Sequence, residues 1–169
     1  MRTQKNRRFK ALPALAALAL VLVLTACSSS GGTGGAAAPT QPQQEIKQGG
    51  SLVIPLSEVS ETAQFYPIVV NGTAMEVIAV TAPDGTIRTA FNTCEVCYSS
   101  GRGYYKQQGS ALVCQNCGNR FQTSQVELQS SGCNPWPIFA ENKTVTADSI
   151  TIGYDFLAQS TQVFANWKR

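Results

Sequence analysis

Five cysteines in the second half of this 169-residue chain constrain its fold more than any other feature. Cys94 and Cys97 form one C-x2-C pair, sixteen residues follow, Cys114 and Cys117 form a second pair, and Cys133 comes after fifteen more. Two cysteines three apart on a tight turn can aim both sulfurs at one ion. Two such turns joined by a hairpin close a tetrahedron of thiolates, at about 2.3 Å each when the ion is zinc. The interval between the pairs is that of a zinc-type site. Gly118 follows the second pair and can adopt the left-handed conformation such a turn often requires. Tyr98 follows the first pair, so that turn departs from the usual knuckle.

Cys133 lies in Gly132-Cys133-Asn134-Pro135-Trp136-Pro137. The two prolines stiffen the chain and point to a fixed loop that aims the cysteine inward. Two readings of it stand side by side. It is a ligand that replaces or supplements one of the first four, or it is a buried free cysteine beside Trp136.

Other thiol chemistries compete with a metal. Disulfides suit an exported chain, but an odd number of cysteines leaves one over or pairing between chains. A bridge between cysteines three apart closes a tiny loop and stabilises little by chain entropy. A redox C-x-x-C of the thioredoxin kind opens a helix after a strand, and neither Glu95-Val96 nor Gln115-Asn116 begins a helical pattern. The chain has no histidine. That excludes covalent haem through C-x-x-C-H, His-ligated zinc hydrolase centres and Ser-His or Cys-His catalysis. An all-thiolate set suits zinc, iron–sulfur or cuprous copper. With no paired carboxylates and no phosphate-cradling loop, an enzymatic role narrows to a redox or electron-transfer component.

The N-terminus carries an address. Arg2, Lys5, Arg7, Arg8 and Lys10 precede an apolar run from Ala11 to Leu24, which ends in Leu24-Thr25-Ala26-Cys27. This is the layout of a secretory signal, and the apolar run is short for a membrane span of about 20 residues. Leu-Thr-Ala-Cys resembles the lipobox of bacterial lipoproteins, in which Cys27 would carry a diacylglyceryl thioether and become the new N-terminus. The alternative is an uncleaved anchor with a free Cys27. Arg7-Arg8 is followed directly by Phe9, so it reads as ordinary signal charge rather than a twin-arginine address. Removing residues 1–26 takes five basic residues and no acidic ones, leaving 8 basic and 10 acidic residues, a formal charge of −2. No basic cluster remains for nucleic acid, and two acyl chains suffice for stable anchoring.

Residues 27–50 are mostly Ser, Gly, Ala, Pro, Thr and Gln, and read as a lipid-anchored flexible linker. Residues 51–169 read as the folded domain. Phe65–Val70 and Met75–Val80 flank Asn71-Gly72, a strong hairpin signal. Pro83-Asp84-Gly85 marks a second turn, and Ile87–Phe91 predicts a strand running into Cys94. Tyr104-Tyr105 and Ala111–Val113 predict a hairpin that delivers the second pair. Thr144–Ile152 predicts a late strand, and Phe156–Trp167 a short terminal helix. The fold class expected is mostly β, a small β-rich α+β fold with antiparallel hairpins carrying two C-x2-C metal knuckles and a short C-terminal helix.

On these residues the chain resembles the extracytoplasmic domain of the membrane iron–sulfur-containing FtrD-like proteins. The resemblance spans roughly Ser51 to Trp167. It is carried by Asp84-Gly85-Thr86-Ile87-Arg88, Cys94-Glu95-Val96-Cys97, Gly103-Tyr104-Tyr105, Cys114-Gln115-Asn116-Cys117-Gly118-Asn119-Arg120-Phe121 and Gly132-Cys133-Asn134-Pro135-Trp136-Pro137. It implies a metal ion or iron–sulfur centre, iron or zinc, on Cys94, Cys97, Cys114, Cys117 and Cys133. It also implies a place in bacterial iron uptake at the membrane, beside a membrane metal permease or redox partner. A zinc-ribbon module that docks a membrane partner and a thiol–disulfide oxidoreductase remain the alternatives.

Overall fold

The computed structural model describes residues 41–169; the signal segment, Cys27 and the linker as far as Thr40 lie outside the described residues. Among the described residues eleven strands run in chain order: β1 (Gln44–Glu45), β2 (Ser51–Pro55), β3 (Gln64–Val70), β4 (Thr73–Thr81), β5 (Ile87–Cys94), β6 (Tyr105–Gln108), β7 (Ala111–Cys114), β8 (Arg120–Gln122), β9 (Pro135–Pro137), β10 (Thr144–Val145) and β11 (Ser149–Gly153). One α-helix, α1 (Tyr154–Gln159), follows. The fold is mostly β, and its strand pairs are antiparallel except for β1 against β3.

The main sheet has the order β1-β3-β4-β5-β9. Its β3–β4 hairpin is closed by two residues, with Val70 opposite Thr73. Asn71 and Gly72 have φ of 50° and 75°, and two positive values in a row are what a turn matching the twist of its strands demands. β4 and β5 are buried along almost their whole length, so each strand packs a core on both faces. On one face Met75, Val77, Ala79 and Phe91 meet Leu52 and Ile54 of β2, Ile150 and Ile152 of β11, and Leu157 of α1. On the other face Ile78, Val80, Ala90 and Cys94 meet Tyr105, Leu112, Cys114 and Phe121 of the small β6-β7-β8 sheet. β9 holds Pro135 and Pro137 and lies at the sheet edge, the place where a residue without an N–H breaks no ladder.

Three expectations need amendment. Docking onto the main sheet begins before Ser51: Gln44 and Glu45 pair with Ile68 and Val69, and Ile46 is buried. One large apolar side chain in a polar tract is enough to dock it. The late strand is two strands, because Thr146 caps a turn by accepting the Asp148 and Ser149 N–H groups on its hydroxyl. The terminal helix stops at Gln159 and continues as a 3-10 segment over Ser160–Phe164. Ser160 and Thr161 hydroxyls donate back to the carbonyls of Phe156 and Ala158 at 2.8 and 2.9 Å, which competes with regular helix. Among the described residues no helix is long and apolar enough to cross a membrane.

Phe91 is fully buried, stacks on Phe156 at 5.6 Å between ring centroids, and meets Phe164 edge-on at 5.5 Å. It joins the main sheet to the C-terminal segment. Phe91→Ala is expected to cost about 3–5 kcal/mol through lost transfer energy and the cavity left behind. Urea unfolding checks this, and a loss under about 1 kcal/mol would show that the C-terminal segment does not depend on that contact.

Candidate metal centre

Each cysteine reaches the site from a strand end or from a loop tied to one. Cys94 is the last residue of β5, and Cys97 follows a tight turn in which its N–H points at Cys94 Sγ, 3.4 Å away. The chain then takes a 3-10 turn over Tyr98–Ser100, and the left-handed residue this knuckle needs comes late, at Gly101 (φ 77°). Cys114 ends β7, and its carbonyl accepts the Gly118 N–H at 2.9 Å, with Gly118 at φ 75°. The second knuckle therefore has the form its sequence predicts. The two knuckles are fixed to each other through the 102–104 segment. The Cys94 N–H donates to the Gly103 carbonyl at 2.6 Å, and the Gln115 N–H to the Tyr104 carbonyl at 2.8 Å.

Cys133 arrives from the loop between β8 and β9, which is clamped by groups of both knuckles. The Glu95 carboxylate accepts the Ser131 N–H and the Ser130 hydroxyl. Asn119 Nδ2 donates to the Cys133 carbonyl at 2.9 Å. The Asn134 carbonyl accepts the Glu95 N–H at 3.2 Å, and Asn134 itself is buried. The Cys133 sulfur belongs to the cluster beneath the small sheet, whereas Trp136 packs into the core on the other face.

All five cysteines converge. The sulfurs of Cys94, Cys97, Cys114 and Cys133 lie within 4.8 Å of one another. Cys94 and Cys133 are 3.5 Å apart. Cys117 is exposed, and its sulfur is 2.9 Å from that of Cys133. No two are joined by a disulfide. Cys27 lies outside the described residues. Three positioning residues, Glu95, Asn119 and Gly103, lie in the runs that carry the resemblance, but their role is not legible in the sequence. Nothing marks a Glu inside C-x-x-C as a clamp, and only the C-G-N-R run at the second knuckle hints at Asn119. Tyr105, also fully buried, sets its hydroxyl 3.9 Å from Cys133 Sγ.

Five thiols this close cannot ionise together in a partly buried site. Burial, reinforced by neighbouring thiols, pushes Cys133 far above the ordinary thiol range and raises Cys97. Burial pushes Cys114 up to about 11. Burial also opposes ionisation of Cys94, but hydrogen bonds from Tyr105 and from the Cys97 and Val96 N–H groups outweigh it and bring Cys94 below the usual value. Cys117 falls to about 7, chiefly because Cys133 donates a hydrogen bond to it. A bound cation supplies the missing positive charge and lets the coordinating thiols deprotonate. Soft thiolates in this number fit zinc or iron.

The sequence model of the family described as membrane iron–sulfur containing protein FtrD-like matches residues 58–164, a span that holds all five cysteines. The chain belongs to that family. No match was found among curated proteins or solved structures. The FtrD-like domain thus brings its cysteines together as an iron-related, metal-binding cluster in a family of membrane proteins.

Gly103 tests the rigidity of this arrangement. A Cβ there would overlap the Cys97 carbonyl and press on the Tyr98 nitrogen. Gly103→Ala is expected to destabilise the protein by about 1–3 kcal/mol through overpacking and to weaken cobalt(II) binding, read from the thiolate charge-transfer band. Gly153→Ala is the control for loss of a glycine, since open space surrounds it and its backbone, like that of Gly103, is not left-handed. Equal cobalt binding by wild type and Gly103→Ala would show that the first knuckle tolerates displacement.

Proposed function

We propose that this FtrD-like chain is a membrane-tethered, extracytoplasmic metal-binding accessory of a bacterial iron or metal uptake system. Its cysteine-bound centre, iron or zinc, would pass electrons or hand on metal to a membrane permease or redox partner. The observation that carries the reading is the convergence of thiols from two knuckles and a clamped loop on one point. Those thiols are dispersed over forty residues of sequence, from Cys94 to Cys133, and nothing but a shared ligand or a disulfide network rewards gathering them. The chain's own residues would do three things. Cysteine sulfurs bind the ion, Glu95 and Asn119 orient the Cys133 loop, and the apolar side chains of Leu112 and Phe121 exclude water from beneath the site. The metal, when bound, supplies either a redox couple, if it is iron, or a charge that holds the thiolates together. Lipid attachment at Cys27 and removal of residues 1–26 belong to the same proposal.

A second reading, thiol–disulfide exchange, is favoured by one contact, the exposed Cys117 sulfur 2.9 Å from Cys133. Exchange needs an accessible thiolate, and Cys117 is the best placed of the five to supply one.

The test is on the full chain, expressed in a bacterium and extracted from membranes without oxygen. Bound metal, visible spectrum and free thiols are measured on one sample. Stoichiometric iron with a visible thiolate band that bleaches on reduction is the outcome expected for electron transfer. Zinc alone removes that version, because zinc has no redox chemistry, and leaves metal hand-over or the zinc-ribbon docking module. A metal-free protein with a disulfide would replace the proposal by the exchange reading. Cys27→Ser is expected to move the chain from the membrane fraction to the soluble one, and its retention in membranes would overturn the anchor.

A further inference from the structure

The spacing of the sulfurs says more than that a metal binds. Thiolates sharing one ion in a tetrahedron with bonds of about 2.3 Å stand about 3.8 Å apart. Here four sulfurs, those of Cys94, Cys97, Cys114 and Cys133, fall within 4.8 Å of one another, and the Cys94–Cys133 separation is 3.5 Å. An iron–sulfur cluster places each of its thiolates on a different iron, or divides them between two irons. The bridging sulfide and second metal push such thiolates farther apart than ligands of a single ion. Separations of 4.8 Å or less suit ligands of one ion and are short for thiolates spread over two bridged irons. The family's description as iron–sulfur containing and the geometry of this site therefore disagree.

The identity of the four is equally specific. The spacing of the two C-x2-C pairs makes Cys94, Cys97, Cys114 and Cys117 the expected quartet. The fold instead puts Cys133 into the compact group, while Cys117, its sulfur 2.9 Å from that of Cys133, does not lie within 4.8 Å of all four. Three of the compact four are buried and Cys133 is half-buried, whereas Cys117 is exposed. The cause lies in the loop. Glu95 and Asn119 hold its backbone so that Cys133 enters between the knuckles, beside the exposed Cys117.

We propose that the centre is a one-ion site with the ligands Cys94, Cys97, Cys114 and Cys133, with no bridging sulfide and with Cys117 a free thiol at its rim. This rests on the metal-binding reading above and narrows it to a mononuclear tetrathiolate.

The experiment uses the full chain, extracted from membranes without oxygen. Metal and acid-labile sulfide are measured, and the native protein is treated with iodoacetamide before peptide mapping. The expected result is about one metal ion per chain, no acid-labile sulfide, and, among the five clustered cysteines, alkylation confined to Cys117. After chelation all five become reactive. Cys117→Ser is expected to keep its metal and Cys133→Ser to lose it. If Cys133→Ser fails to fold, the alkylation map of the wild-type protein decides the ligand set by itself. Two or more sulfides per chain, protection of Cys117 with exposure of Cys133, or loss of metal from Cys117→Ser would each overturn this inference while leaving the metal-binding reading intact. A chain that carries no metal as isolated and takes up none on titration with cobalt(II) would overturn both.

Discussion

β5 packs a core on each of its faces, and the position of every other part of the site follows from that. Phe91 commits one face to β2, β11 and the C-terminal segment, while Ala90 and Cys94 commit the other to the small sheet. A strand fixed on both sides cannot slide by one residue without exchanging its two faces, so Cys94 is located by hydrophobic packing and not by any ligand. The C-terminal segment then braces the same strand from behind. Trp167 Nε1 donates to the Asn92 carbonyl at 2.6 Å, Thr93 Oγ1 donates to the Val163 carbonyl at 3.1 Å, and Asn166 Nδ2 reaches the Ser99 carbonyl beyond the first knuckle at 3.2 Å. Asn92 carries the restraint forward. It accepts the Tyr105 N–H at 2.7 Å and donates to the Tyr105 carbonyl at 3.2 Å, which ties the start of β6, and hence the second knuckle, to β5.

What could be read from the sequence was what depends on short-range chemistry. Asn71-Gly72 announces its hairpin because few residues tolerate two positive φ values in succession. The strand into Cys94 and the hairpin into Cys114 are announced by apolar runs that end at the cysteines. What could not be read depends on long-range placement. Nothing in the local pattern of Cys133 tells which knuckle its loop will meet, or that Glu95 and Asn119 will hold it there. Asp84-Gly85-Thr86-Ile87-Arg88 is similar. It is one of the runs that carry the resemblance, and its Arg88 is a buried structural anchor. The guanidinium bonds the Ser124 carbonyl at 2.9 Å and the Asp84 carboxylate at 2.5 Å, pinning the 123–126 turn beneath the main sheet. The early docking of Ile46 was likewise hidden, since a single apolar residue gives no period to detect.

The small sheet shows why a ligand would matter to folding as well as to function. β6, β7 and β8 are three or four residues each, and strands this short are marginal alone. Their apolar contribution is limited to side chains such as Tyr105, Leu112 and Phe121 packed on the outer face of β4 and β5. Three separate pieces meet at the thiols: the end of the main sheet, the tip of the small sheet, and the loop ahead of β9. An ion bound there crosslinks all three through bonds of fixed length, in the part of the fold where the hydrophobic core is thinnest. Because such a site has no counterpart in the unfolded chain, its binding energy is also folding energy. Without the ion, buried thiols that stay protonated pack as small apolar side chains, and nothing crosslinks the three pieces. An ion there would therefore add more to the junction of these three pieces than to the main sheet, whose β5 is already fixed by packing on both faces.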